Sequence, residues 1–215
     1  MRDDQFWTEH YTKFREQQSS PFCKFCVAKV LRPTDTVVEI GCGNGRDSVE
    51  IARNVARYIG LDTCPTAVNA CATLLATNNL TDGRATVLVE NGARFDFGSV
   101  EAKDRLALYS RFSLHSMSYA DQAALLERLS LLAPRPWVCM VEARTIHDEL
   151  YGVGENVGPH EFVTDHYRRF IDPKSFLSEL LKSFHVHYFE LAKGFAAYKD
   201  EDPLVMRVVF SGQPR

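Results

Sequence analysis

Short apolar runs recur along this chain at 36–40, 58–61, 86–89, 106–109 and 137–141, each bounded by turn-forming residues. Continuous runs of that length suit strands buried on both faces. Between them, 47–55, 65–76 and 119–132 read as helices, the second with Pro65 in its first turn, where a missing N–H costs nothing. Strand and helix alternate, which predicts an α/β fold: a doubly wound, mostly parallel sheet with right-handed crossovers and helices on both faces. Upstream, 5–30 reads as two helices split at Ser19-Ser20-Pro21. Phe6, Trp7, Tyr11 and Phe14 lead the first of them, and spacings of four and three put Trp7, Tyr11 and Phe14 on one side. That side either packs on the core or, over 1–30, forms a helical lid that keeps water from a reaction. Downstream, 142–169 is polar and rich in glycine and histidine, which predicts a long functional loop. A helix is expected over 173–181, and 184–191 with 204–210 alternates as a terminal hairpin.

A chain of 215 residues fits one domain, 1–215. With 25 basic and 28 acidic residues and no block of like charge, general nucleic-acid binding is not expected. No apolar stretch reaches the ~18 residues of a membrane span, and the first ten residues are charged where a secretory signal is greasy. A cytoplasmic protein, monomer or homodimer, is expected. Of six cysteines, Cys42, Cys64, Cys71 and Cys139 fall in or beside apolar segments as small hydrophobes, and the pair Cys23 and Cys26 has no second pair to complete a zinc site. His147, Asp148, Glu149, His160 and His166 lack the tight spacing of metal ligands, so no metal is expected.

The densest information lies in VVEIGCGNGRD, from Val37 to Asp47. An apolar strand ends in an acid, three glycines alternate with other residues, and a helix begins. Glycines there let the main chain turn sharply and approach a ligand with no Cβ in the way. Asp62 lies 21 residues beyond Gly41, at the end of the next apolar run, where a carboxylate accepts hydrogen bonds from ribose hydroxyls. A dinucleotide site wants a third glycine where this chain has Arg46. Glu39, just before the loop, suits a ligand bearing an ammonium group. Both observations favour S-adenosylmethionine over NAD.

With these residues the chain resembles the class I S-adenosylmethionine-dependent methyltransferases, whose first two motifs match Glu39 to Gly45 and Asp62. The further stretches W-x-x-x-Y, SSPF, GCGNGRDS, YSRFSLHS and RRFIDP look like a bacterial subgroup met among small-metabolite and surface-saccharide pathways. The resemblance implies a Rossmann-like sheet of seven strands with the last antiparallel. It implies a cofactor site at Glu39, Gly41, Cys42, Gly43, Asn44, Gly45, Arg46, Asp47, Asp62 and Thr63, with Asn91, Gly92 and Ala93 near the adenine and Ser110 after the fourth strand. Asn91 stands where family members often carry an aspartate. S-adenosylhomocysteine is the implied product.

His115 is the candidate general base, since an imidazole takes a proton near neutral pH; the alternative is a helix start that it caps or packs. Tyr11 has a hydroxyl able to reach the acceptor. Arg111 is an acceptor anchor or a partner for an acidic neighbour. Arg144, Tyr151, His166, Arg168 and Arg169 are candidate acceptor-binding residues, and the guanidiniums suit an anionic acceptor such as a phosphate, phosphonate, carboxylate or sugar derivative. The same arginines have Asp148, Glu149 and Asp165 available as partners. The expected activity is methyl transfer to an oxygen, less so a nitrogen, of a small molecule. The alternatives are an NAD(P)-dependent oxidoreductase, a non-catalytic S-adenosylmethionine-binding module, and a protein or RNA methyltransferase.

Overall fold

In the computed structural model, residues 2–13, 18–198 and 201–213 are described; Phe14 lies outside them. Two helices, α1 (Arg2–Lys13) and α2 (Pro21–Lys29), precede the first strand. Ser20 caps α2, its hydroxyl accepting the Cys23 N–H at 3.0 Å, with Pro21 in the first turn. Then β1 (Thr36–Ile40), α3 (Ser48–Asn54), β2 (Arg57–Asp62), α4 (Pro65–Thr77), β3 (Ala85–Val89), β4 (Leu106–Arg111), α5 (Tyr119–Ser130) and β5 (Trp137–Arg144) alternate. All five positions of β1 are buried, as expected of a strand covered on both faces.

Seven strands form the main sheet in the order β3-β2-β1-β4-β5-β10-β9, where β9 is Phe184–Ala192 and β10 is Val205–Gly212. The strands β1 to β5 pair in parallel, and β10 runs antiparallel to both β5 and β9. Alternate strand residues feed two cores. Val38, Ile40, Leu106 and Leu108 pack with Leu125 and Leu129 of α5 and with Phe176 and Leu180 of α6 (Pro173–Ser183). Val37, Ala107 and Tyr109 pack with Phe22 of α2, Ile51 of α3 and Leu75 of α4. The sheet is therefore wound on both faces. Strand order reverses between β1 and β4, which opens a crevice beyond their carboxyl ends.

The stretch 142–169 is not the long loop its polarity predicts. β5 runs on to Arg144, and β6 (Glu155–Gly158), β7 (Glu161–Val163) and β8 (Tyr167–Arg169) form an antiparallel three-stranded sheet. Its strands are three or four residues long, too short for alternation to stand out. Tyr151, Phe162 and Phe170 pack edge to face and supply its small core.

A buried row of charge crosses β4, β5 and β10. Glu142 lies in register with Arg111 on one side and Arg207 on the other, and accepts from their Nε atoms at 2.9 and 2.7 Å. Burial raises the Glu142 carboxyl above the ordinary glutamate value, and both guanidiniums pull against that rise. Arg207 also lies 3.9 Å from the ring centre of Phe195.

Candidate active site

The loop after β1 hangs over the crevice. Gly41, Gly43 and Gly45 have φ of 74°, 54° and 89°, all in the left-handed region that a Cβ disfavours. A Cβ on Gly41 would lie 2.5 Å from Ser113 Cβ. Gly41→Ala is therefore expected to cost about 2 to 4 kcal/mol, from the backbone conformation and the overlap together, read as a shift in urea midpoint at constant slope. A loss below about half a kcal/mol would show that the loop relaxes freely.

Asp62, at the end of β2, ties this loop down. Its Oδ2 accepts the Gly43 N–H at 2.9 Å and its Oδ1 the Cys64 N–H at 2.9 Å. Burial raises its pKa while the backbone donors lower it. Each carboxylate oxygen has a second lone pair for a ribose hydroxyl. Thr63 beside it is exposed.

Other residues of the glycine motif face inward. Glu39 is buried, and its Oε2 accepts from Tyr58 Oη at 2.5 Å and Ser48 Oγ at 2.8 Å. Burial pushes its carboxyl well above the usual range. The expected ammonium partner thus lies among hydroxyls in the core, where desolvation opposes its charge. Asp47 accepts from Ser20 N at 2.6 Å, Ser20 Oγ at 2.8 Å and Tyr109 Oη at 2.6 Å, which clamps the start of α2 to the loop and to β4. Arg46 Nε donates to the Gln18 carbonyl at 3.1 Å. Arg46 and Asp47 hold the loop from behind. Cys42 is buried, its Sγ 3.8 Å from the Gly43 carbonyl, and Asn44 is half-buried.

Beyond β3, Asn91 Oδ1 accepts the Ala93 N–H at 2.9 Å, a local turn that leaves its amide N–H₂ free of that bond. Gly92 packs against Ile40, and Ala93 is buried. After β4, Ser110 Oγ lies 2.8 Å from Ser113 Oγ, which donates to the Ile40 carbonyl at 2.6 Å. Ser113 thus joins the β4 end to the glycine loop; only its place after a strand end signals this in the sequence.

On the other side of the crevice, the arginines hold acids and carbonyls. Arg111 pairs with Glu142. Arg144 meets Asp148 at 3.0 Å and Glu201 at 2.6 Å. Arg168 donates to Asp165 at 3.0 Å and to Thr164 Oγ1 at 2.6 Å. Arg169, also in the expected acceptor set, is buried and donates to the carbonyls of Met117 and Leu114 and to Gln122 Oε1, and so locks the turn that carries His115. Tyr151 is exposed, with Oη 2.8 Å from His160 Nδ1, and its ring belongs to the small sheet's core.

His115 lies in a 3₁₀ turn, Leu114–Ser116, and is 7 % exposed. Its Nδ1 is sealed from solvent without a hydrogen-bond partner. Burial lowers its pKa well below the ordinary histidine value, and Arg144, Arg168, His166 and Arg111 add to that. The neighbouring Phe112 takes φ of 58°, unusual for a bulky residue, and carries Arg111 at 4.3 Å from its ring centre.

Across the crevice lies α1. A Cβ on Gly43 would be 2.9 Å from Tyr11 Oη, so the ring rests on the bare glycine. Burial and the Asp62 charge push the Tyr11 hydroxyl far above its usual pKa. Trp7 stacks on Tyr11, and Phe6 stacks on His166 with ring centres 4.0 Å apart. One helix thus touches both the glycine loop and the small sheet.

A family described as a methyltransferase domain matches residues 37–135, from β1 to the turn before β5. This segment is similar to the methyltransferase domains of that family. Its boundaries take in the glycine loop, Asp62, Asn91 and His115. Solved structures extend the likeness to the fold of the whole chain. A SAM-dependent methyltransferase from Methanosarcina mazei superposes with a TM-score of 0.73 at 16 % identity, over 88 % of this chain and 97 % of its own. One from Anabaena variabilis gives 0.68 at 14 % identity, over 98 % and 93 %. The magnesium protoporphyrin IX methyltransferase from Synechocystis, solved with bound SAM, gives 0.60 at 13 % identity, over 87 % and 75 %. No curated protein matches the chain in sequence. The fold is that of class I S-adenosylmethionine-dependent methyltransferases. Among the described residues, no group of three His, Cys, Asp or Glu side chains is placed to hold a metal, and no helix is long and apolar enough to cross a membrane.

Proposed function

We propose that this methyltransferase transfers the methyl group of S-adenosylmethionine to an oxygen of a small, polar, anionic acceptor. The observation that carries the cofactor assignment is the Asp62 carboxylate, at the carboxyl end of β2 and bound to the backbone of the glycine loop at Gly43, beside the switch point. The site fits the cofactor: the left-handed glycines offer backbone without side chains, and both Asp62 oxygens keep lone pairs for a ribose. Asn91 and Ala93 would hold the adenine, and Ser110 would line the methyl end of the site. When bound, S-adenosylmethionine supplies a sulfonium methyl group open to in-line attack by the acceptor oxygen.

The protein's own task is alignment and dryness. Holding nucleophile and carbon in line contributes on the order of 7 to 11 kcal/mol in well-oriented reactions. Tyr11 and Trp7 act as a lid over the crevice, presenting aromatic faces to positive charge and excluding water. The anionic acceptor is supported by the gathering of Arg111, Arg144, Arg168 and His166 around His115. Arg144, Arg168 and His166 would face the acceptor as part of that group, their direct bonds being made to acids.

Calorimetry with S-adenosylhomocysteine and with NADH, followed by transfer of labelled methyl groups into fractions of a cell extract, tests the proposal. Heat with the homocysteine derivative, none with NADH, and label in acidic small molecules are expected. Heat with NADH alone would point to an oxidoreductase. Cofactor binding with no labelled product in any fraction would leave a binding module.

A further inference from the structure

The imidazole of His115 lies where methyl transfer is proposed, and its surroundings are not those of a base. A histidine acting as base keeps a lone pair at the nitrogen facing its substrate. It also keeps a proton on the other nitrogen, held by a carbonyl or carboxylate, and tolerates the positive charge it acquires. Here Nδ1 is enclosed and meets no acceptor. The charged groups around the ring come from three elements: Arg111 from the end of β4, Arg144 from the end of β5, and His166 and Arg168 at β8. The acids that pair with these groups are engaged by them, Glu142 by Arg111 and Arg207, Asp148 by Arg144, and Asp165 by Arg168 and His166. The charged groups named against the ring are all cationic, which disfavours an imidazolium.

A neutral imidazole carries one ring proton, and the same surroundings decide where. An N–H at Nδ1 would be a buried donor with no acceptor, which costs more than a bare lone pair there. The proton then belongs on Nε2, the ring nitrogen that is not sealed off.

We infer that His115 meets the acceptor as an uncharged hydrogen-bond donor through Nε2–H, and that the acceptor enters already ionised, as a carboxylate, phosphate or phosphonate oxygen. The inference rests on the proposed methyl transfer for its setting. The atoms balance without a proton acceptor: an oxyanion lone pair forms the new O–C bond, and the C–S pair returns to sulfur. The product is a methyl ester with one negative charge fewer. An alcohol or phenol would instead need a base, and the ring has no lone pair toward it.

The test uses protein labelled with ¹⁵N at histidine and saturated with S-adenosylhomocysteine, the His115 signals being those lost in His115→Gln. The neutral Nε2–H tautomer is expected at neutral pH and is expected to persist as the pH falls through about 6.5, where an ordinary histidine takes up its second proton. Titration with methylphosphonate is expected to move the Nε2 signal at millimolar concentration and saturate. An Nδ1–H tautomer, or an imidazolium at neutral pH, would overturn the donor role. A ring signal that methylphosphonate and acetate both leave unmoved would overturn the oxyanion assignment. Absence of heat with S-adenosylhomocysteine would instead overturn the methyltransferase reading, whatever the tautomer.

Discussion

Asp62→Ala is expected to weaken S-adenosylhomocysteine binding by about a hundredfold to a thousandfold while the fold persists. The carboxylate has two duties. It accepts the Gly43 and Cys64 N–H groups, which holds the glycine loop in its left-handed course, and it offers its remaining lone pairs to the ribose. Hydrogen bonds to a charged group are worth roughly 1.5 to 3 kcal/mol each, so losing the ribose contacts and loosening the loop costs about 3 to 4 kcal/mol in binding. Calorimetry gives the affinity, and circular dichroism checks the fold. A change of less than threefold would mean that the sugar lies elsewhere.

Glu142→Ala is expected to cost about 3 to 5 kcal/mol in stability, because it strands two buried guanidiniums. Arg111 and Arg207 are bound to opposite oxygens of this one carboxylate, and side-chain exposure at the three residues is 14, 6 and 0 % for Arg111, Arg207 and Glu142. Removing the acid leaves like charges on β4 and β10, the two strands that flank β5, with no partner between them. Urea unfolding monitored by tryptophan fluorescence measures the loss. A companion variant replacing all three residues by Met or Leu of similar volume should recover most of it, since the penalty comes from unpaired charge and not from lost attraction. If Glu142→Ala cost under 1 kcal/mol, water must reach the row.

Much of the fold was legible because buried strands and amphipathic helices write their period into the sequence. The predicted run at 36–40 coincides with β1, and the helix expected over 65–76 matches α4, Pro65–Thr77. The glycine spacing placed the loop, since only a bare backbone takes φ of 54 to 89° without strain at three alternating positions. What was not legible depends on partners distant along the chain. Asp47 finds Ser20 and Tyr109, separated from it by 27 and 62 residues. Arg169 reads as an acceptor anchor or a partner for Asp148, Glu149 or Asp165, yet Gln122 and two carbonyls claim it, 47 to 55 residues away. The small sheet went unread because a three-residue strand has no period to detect, and the left-handed Phe112 because nothing local asks for it.

The glycine loop hangs from β1, which is hydrogen-bonded along its whole length to β2 on one side and β4 on the other, with every residue buried. Amides so placed exchange with solvent only when the entire molecule opens, whereas edge strands such as β3 and β9 fray first. The root of the cradle thus belongs to the last structure to be lost on warming, and local breathing at the sheet margins leaves its shape intact.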